Sequence, residues 1–140
     1  MKKLIIYFLL ILFNNAYANP IWEISNNWAC LMKLHTITNK NGENLKINSI
    51  KSTTTYDFEN SKVSVIFDDG HNSTGTIIHK NYFENQVLNE NIIVIDWKNW
   101  GPYVSIITER NNVFWTSKTS GGGSSDNKLH SAYKECYATD

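Results

Sequence analysis

The sequence predicts an all-β protein, built as an antiparallel up-and-down barrel of about eight strands, with a β-sandwich as the alternative. Short runs rich in β-branched and aromatic residues recur at roughly ten-residue spacing between turn signals. Helical periodicity is absent after residue 18. Most connections are of hairpin length, and a closed barrel removes the sheet edges that would otherwise promote aggregation. The barrel is therefore the preferred architecture.

The first predicted strand, residues 28–38, alternates between two faces. One face carries Trp28, Cys30, Met32 and Leu34, and the other carries Ala29, Leu31, Lys33 and His35. The Asn41-Gly42 pair then favours a tight hairpin, because both residues tolerate the left-handed backbone that such a turn requires. Leu45 and Ile47 continue on the return strand.

The remaining strands follow from the same criteria. The segment around Tyr82 and Phe83 is compatible with either a strand or a short helical turn. Residues 92–97 form an apolar run that only Asp96 interrupts, which indicates a strand buried on both faces. The predicted strands after the first hairpin cover residues 53–58, 63–67, 74–79, 92–97, 103–108, 113–119 and 129–137.

Residues 1–18 have the order of a secretory signal peptide. Lys2 and Lys3 precede an apolar run over residues 4–13, and Ala16-Tyr17-Ala18 forms a small-x-small cleavage site. The run is too short for a transmembrane helix, which needs roughly 20 residues. We therefore expect residues 19–140 to form one domain that is periplasmic or secreted and does not span the membrane.

The two cysteines are expected to form a disulfide, because an oxidising compartment favours one. Cys30 lies in the first predicted strand and Cys136 in the last. The first and last strands of a closed barrel are neighbours, so the two thiols would meet. The alternative is a reactive or metal-bound pair, but the spacing matches no zinc or redox motif.

Composition argues against several function classes. Removing Lys2 and Lys3 from the 13 basic residues leaves 11 against 13 acidic ones, and Arg110 is the single arginine. Nucleic acid, which requires a basic surface, is therefore not an expected partner. The sequence lacks the Gly-x-Ser-x-Gly motif of a nucleophile elbow, and its histidines are dispersed, at His35, His71, His79 and His130. We expect no catalysis, no metal and no cofactor.

Aromatic residues give the best indication of a functional site. Trp97, Trp100 and Tyr103 gather at one strand–loop–strand junction. Such rings either close one end of the barrel or form a recognition surface, since they offer a large contact area with a polar handle. Ser120 and Gly121 open a glycine-rich loop that lacks the Gly-Lys-Ser/Thr of a phosphate loop. Loops at a barrel mouth commonly bind ligands, so both residues join the candidate site.

The arrangement of Trp28-Ala29-Cys30, a terminal Cys136 and strands between them resembles small exported β-barrels with one disulfide. The periplasmic inhibitors of c-type lysozyme are one such family, and lipocalin-like barrels are another. The inhibitors carry a Ser-Gly-x-x-Tyr loop that enters the lysozyme cleft. Here the segment from Ser120 has Ser124 at the tyrosine position, so the resemblance assigns no residue a role.

The sequence thus predicts an exported, non-catalytic binding protein that presents the aromatic end of its barrel to a ligand or partner. In the first version, the barrel holds a small apolar or amphipathic ligand, as eight-stranded barrels can. It predicts a cavity open near Trp97, Trp100 or Gly121. In the alternative, the domain is an inhibitor or immunity factor that acts on an extracytoplasmic protein, such as a cell-wall enzyme or toxin. It predicts a filled barrel with an exposed patch.

Overall fold

The computed structural model describes residues 19–39, 41–48, 51–119 and 129–140. These residues form an all-β fold whose sheet closes into an eight-stranded antiparallel barrel, and this confirms the predicted fold class. The predicted signal peptide, residues 1–18, lies outside the described residues, and so do Ser120 and Gly121. Among the described residues, no helix has the length and apolar character needed to cross a membrane.

One short helix precedes the strands. The helix is α1 (Ile21–Ile24). The strands are β1 (Asn27–Thr38), β2 (Asn44–Asn48), β3 (Ser52–Asp57), β4 (Lys62–Phe67), β5 (Asn72–Glu84), β6 (Asn89–Trp97), β7 (Gly101–Arg110), β8 (Val113–Thr119) and β9 (Leu129–Ala138). The segment around Tyr82 and Phe83, which the sequence left open between strand and helix, belongs to β5.

The sheet is a meander closed by its first and last long strands. From β3 to β9, each strand pairs antiparallel with the next. One edge of β1 pairs with β3 along its first half and with β2 along its second half, so β2 and β3 share one position around the barrel. The other edge of β1 pairs with β9, from Trp28 opposite Ala138 to Thr38 opposite Leu129. This seam closes the barrel.

The hairpin between β7 and β8 shows how the sequence sets a turn. Asn111 and Asn112 both have positive φ, at 54° and 62°, between the paired residues Arg110 and Val113. Asparagine tolerates this left-handed backbone better than most residues, and two such residues in succession match the twist of the flanking strands. Asn111 and Asn112 therefore form a two-residue hairpin loop.

The predicted alternation in β1 is wrong from Leu34 onward. Lys33 is an extra residue in the pairing with β9, since Met32 lies opposite Lys134 and Leu34 lies opposite Tyr133. A bulge of this kind inverts the faces of all residues that follow it. Leu34 is therefore 45% exposed, whereas His35 lines the barrel interior.

The disulfide between Cys30 and Cys136 is present, as predicted. The two residues are directly paired across the β1–β9 seam, with their Cα atoms 4.0 Å apart. Both side chains are buried in the hydrophobic core. The bridge therefore fastens the barrel from inside, at the place where its first and last strands meet.

The helix α1 covers one end of the barrel, which we call the base. There β1 begins and β9 ends. Ile21 is fully buried, and its backbone N–H donates to Oδ1 of Asn91 over 2.9 Å. The indole N–H of Trp28 donates to the Ile21 carbonyl over 3.1 Å, and Trp22 packs on Phe58 with ring centroids 5.9 Å apart. The opposite end, where β6 ends and β7 begins, is called the rim.

Candidate functional site

The half of the barrel nearest the rim is hollow. It encloses a cavity of about 310 Å³, to which β1, β3, β4, β6, β7, β8 and β9 all contribute side chains. In the half nearest the base, the interior is instead filled by an apolar cluster that includes Ile21, Trp28, Phe58, Ile77, Ile93 and Ile107. The barrel interior is therefore packed at the base and open to a ligand in the half nearest the rim.

The three aromatic residues predicted from the sequence all line this cavity. Trp97, the last residue of β6, is 4% exposed, and Trp100 in the following turn is 37% exposed. Their ring centroids lie 5.4 Å apart, and Trp100 and Phe67 form an edge-to-face pair with centroids 6.1 Å apart. Tyr103 completes this aromatic wall from β7. The inclined rings offer an apolar surface that reaches the rim.

A row of hydroxyl groups crosses the cavity wall. The hydroxyl of Tyr56 lies 3.0 Å from Oγ of Ser105, which in turn lies 3.0 Å from Oγ1 of Thr116. Burial raises the pKa of Tyr56 to about 12, with the hydrogen bond to Ser105 acting in the opposite sense. The phenol is therefore neutral at ordinary pH and available only for hydrogen bonding.

Lys134 is a charged wall residue that the sequence did not identify as part of the site. It is 6% exposed, and its Nζ donates to Oγ1 of Thr54 over 2.5 Å. The alternation of β9 contained the signal, because Lys134 lies two residues from Cys136 and from Ala132, both of which are buried. A lysine in a strand is usually solvent-exposed, so the pattern alone did not identify it as an interior residue.

His35 also lines the cavity, in place of the outward position that simple alternation predicts. The bulge at Lys33 brings it there. Among the described residues, no three His, Cys, Asp or Glu side chains converge on a point where they could hold a metal ion. Among the described residues, the polar and aromatic groups that line the cavity are therefore hydroxyls, aromatic rings, and the side-chain nitrogens of Lys134 and His35.

A larger groove of about 940 Å³ lies outside the barrel, along β3 to β6. Charges of both signs border it, including Asp57, Lys62, Asp96 and Lys98. Asp57 accepts hydrogen bonds from the backbone N–H and side-chain amide of Asn60, and these bonds hold its pKa below the usual range. Because this groove is a mixed, open surface, it is a weaker candidate than the enclosed cavity despite its size.

The two remaining sequence candidates, Ser120 and Gly121, lie outside the described residues. The structure therefore brings together Trp97, Trp100 and Tyr103 at one site and gives no position for the glycine-rich loop. The strands that flank that loop do reach the rim, since β8 ends there and β9 begins there.

The fold and the cavity together define a class: an eight-stranded antiparallel barrel, filled at the base and hollow at the rim. Comparisons with family models, with curated proteins and with solved structures give no match for this chain.

Proposed function

We propose that the protein binds a small amphipathic molecule inside its barrel and does not act on it chemically. The observation that carries this proposal is the cavity of about 310 Å³ in the rim half of a barrel whose base is filled. Small-molecule sites are typically concave and mostly apolar, with a few polar groups that fix orientation. The aromatic wall and the row of hydroxyls supply these two elements.

The cavity size limits the ligand. Protein sites for small molecules occupy about 300–1,000 Å³, and this cavity lies at the lower end of that range. A compact ligand fits better than a long lipid. An eight-stranded barrel has room for only one small ligand, whereas barrels with many more strands enclose water-filled channels.

The alternative function, a protein inhibitor or immunity factor, predicted a filled barrel. A cavity lined by Trp97, Tyr56 and Lys134 supports the small-ligand version instead, since a surface that binds a protein needs no hollow interior. The alternative remains a prediction for the exposed part of the rim, where Trp100 is accessible.

Fluorescence titration with N-phenyl-1-naphthylamine, a neutral amphipathic probe, tests the proposal. We expect the probe to bind at one site and to quench tryptophan emission, because Trp97 and Trp100 line the cavity. Native mass spectrometry of the protein purified from the periplasm of an exporting host would identify a ligand that copurifies.

A matched pair of variants locates the binding site. Ala132→Phe fills the cavity from β9, whereas Ala138→Phe places the same ring at an exposed position of the same strand. We expect only Ala132→Phe to abolish probe binding, with Ser52→Leu as a second cavity-filling variant if Ala132→Phe lowers the melting temperature strongly. Equal binding by both phenylalanine variants would exclude the cavity. Absence of binding by the unmodified protein would overturn the proposed function.

A further inference from the structure

Lys134 places an amino group inside the barrel, where a positive charge is costly. Transferring an ammonium from water to an apolar interior is unfavourable unless hydrogen bonds and opposite charge compensate for it. The β9 alternation buries Lys134 between Ala132 and Cys136, and its Nζ contacts Thr54 within the cavity wall. This amino group therefore lines the space that a ligand in the cavity would occupy.

The charged side chains that the described part of the wall contains are basic. Among the described residues that line the cavity, Lys134 and His35 are the basic ones, and neither Asp nor Glu is present. The hydroxyls of Thr54, Ser105 and Thr116 surround the same region of the wall and can donate hydrogen bonds. A carboxylate accepts such bonds from hydroxyls and from an ammonium, whereas a ligand ammonium would be repelled.

The rest of the wall suits an apolar ligand body. Trp97, Trp100, Tyr103 and Phe67 form a continuous aromatic surface on the rim side of the cavity. A ligand whose charged group contacts Lys134 would lay its hydrocarbon part along these rings. The aliphatic wall residues Val65 and Ile95 extend the same apolar surface on β4 and β6.

We propose that the ligand is a small amphipathic monocarboxylate, with its carboxylate on Lys134 and its apolar body on the aromatic wall. This inference rests on the proposed function and specifies its ligand class. A single carboxylate matches a wall in whose described part Lys134 is the one basic side chain besides His35, whereas a doubly charged phosphate would call for more cationic partners. Lys134 is then the specificity-determining residue of the site.

The test uses three probes with the same hydrocarbon tail: decanoate, decanamide and decylamine. Their dissociation constants are measured by isothermal titration calorimetry at pH 7. A hydrogen bond to a charged group contributes enough to change affinity by about 10- to 100-fold. We expect decanoate to bind by that factor more tightly than decanamide, and decylamine to bind most weakly.

Two lysine variants complete the experiment. In Lys134→Met, decanoate should no longer bind about 10- to 100-fold more tightly than decanamide, and the affinity for decanamide should change by less than about threefold. Lys98→Met, a matched change at an exposed lysine next to Trp97, should leave the order of the three probes unchanged. If Lys134→Met fails to fold, the ranking of the three probes by the unmodified protein decides alone.

The outcomes separate the two proposals. If decanamide or decylamine binds as tightly as decanoate, the carboxylate inference is wrong and the cavity remains a ligand site. If Lys134→Met keeps the preference for decanoate, Lys134 does not select the ligand and the inference falls. If none of the three probes binds and N-phenyl-1-naphthylamine also fails to bind, both proposals fall.

Discussion

Removing the Cys30–Cys136 disulfide should destabilise the protein strongly. The bridge joins residues 106 positions apart, directly across the seam between β1 and β9. In the chain-entropy account, a cross-link of that span removes enough freedom from the unfolded chain to contribute about 5 kcal/mol to stability. For a domain of this size, that loss corresponds to a fall in melting temperature of roughly 20 °C.

Urea unfolding of three forms tests this magnitude: the oxidised protein, the reduced protein, and the double variant Cys30→Ala with Cys136→Ala. Alanine is chosen because both sites are buried and a serine hydroxyl would lack a partner there. We expect both unbridged forms to lie about 5 kcal/mol below the oxidised protein. Their m-values should also be larger, because their unfolded chains are more expanded. Reduced protein that unfolds at the same urea concentration as oxidised protein would refute the reasoning.

Three further changes probe the interior. Asn91 accepts from Ile21 N–H and donates to a β7 carbonyl, so Asn91→Ala should cost about 2–4 kcal/mol; an unchanged urea midpoint would contradict this. Burial raises the pKa of Tyr56 from 10.0 to about 12, so its neutral phenol should stabilise the fold fully below pH 10 and progressively less as pH rises toward 12. Absorbance titration against Tyr56→Phe shows whether one phenol ionises at a higher pH than the others. In Gly75→Ala, the new Cβ would lie 2.8 Å from Cγ2 of Ile95, so thermal melting should reveal a loss of about 1–3 kcal/mol, and an unaltered melt would argue against close packing there.

The sequence predicted the barrel because its determinants are local. Alternation along each strand and turn residues such as Asn111 and Asn112 define strands and hairpins without knowledge of their partners. The disulfide followed from topology, since a closed meander makes its first and last strands neighbours. The aromatic candidates Trp97 and Trp100 also fell in the cavity wall, because a turn that joins two adjacent strands keeps its rings at one end of the barrel.

Features that depend on pairing between strands were not predictable in the same way. The bulge at Lys33 exists only relative to β9, so the sequence of β1 alone placed Leu34 and His35 on the wrong faces. Lys134 was not predicted to lie inside the barrel because lysine is usually exposed, although the alternation along β9 buries it. The packing of α1 over the base depends on a hydrogen bond from Ile21 to Asn91, 70 residues away along the chain. No local sequence pattern indicates such a partner.

The seam between β1 and β9 also shapes how the molecule is assembled. The partner of Cys30 follows it by 106 residues, so the edge of β1 that pairs with β9 stays unpaired until the end of the chain is in place. Folds dominated by such distant pairings form slowly, and an unpaired edge invites other chains to add to it. The pairing of β9 with β1 is therefore the step that converts an open sheet with exposed edges into a closed barrel.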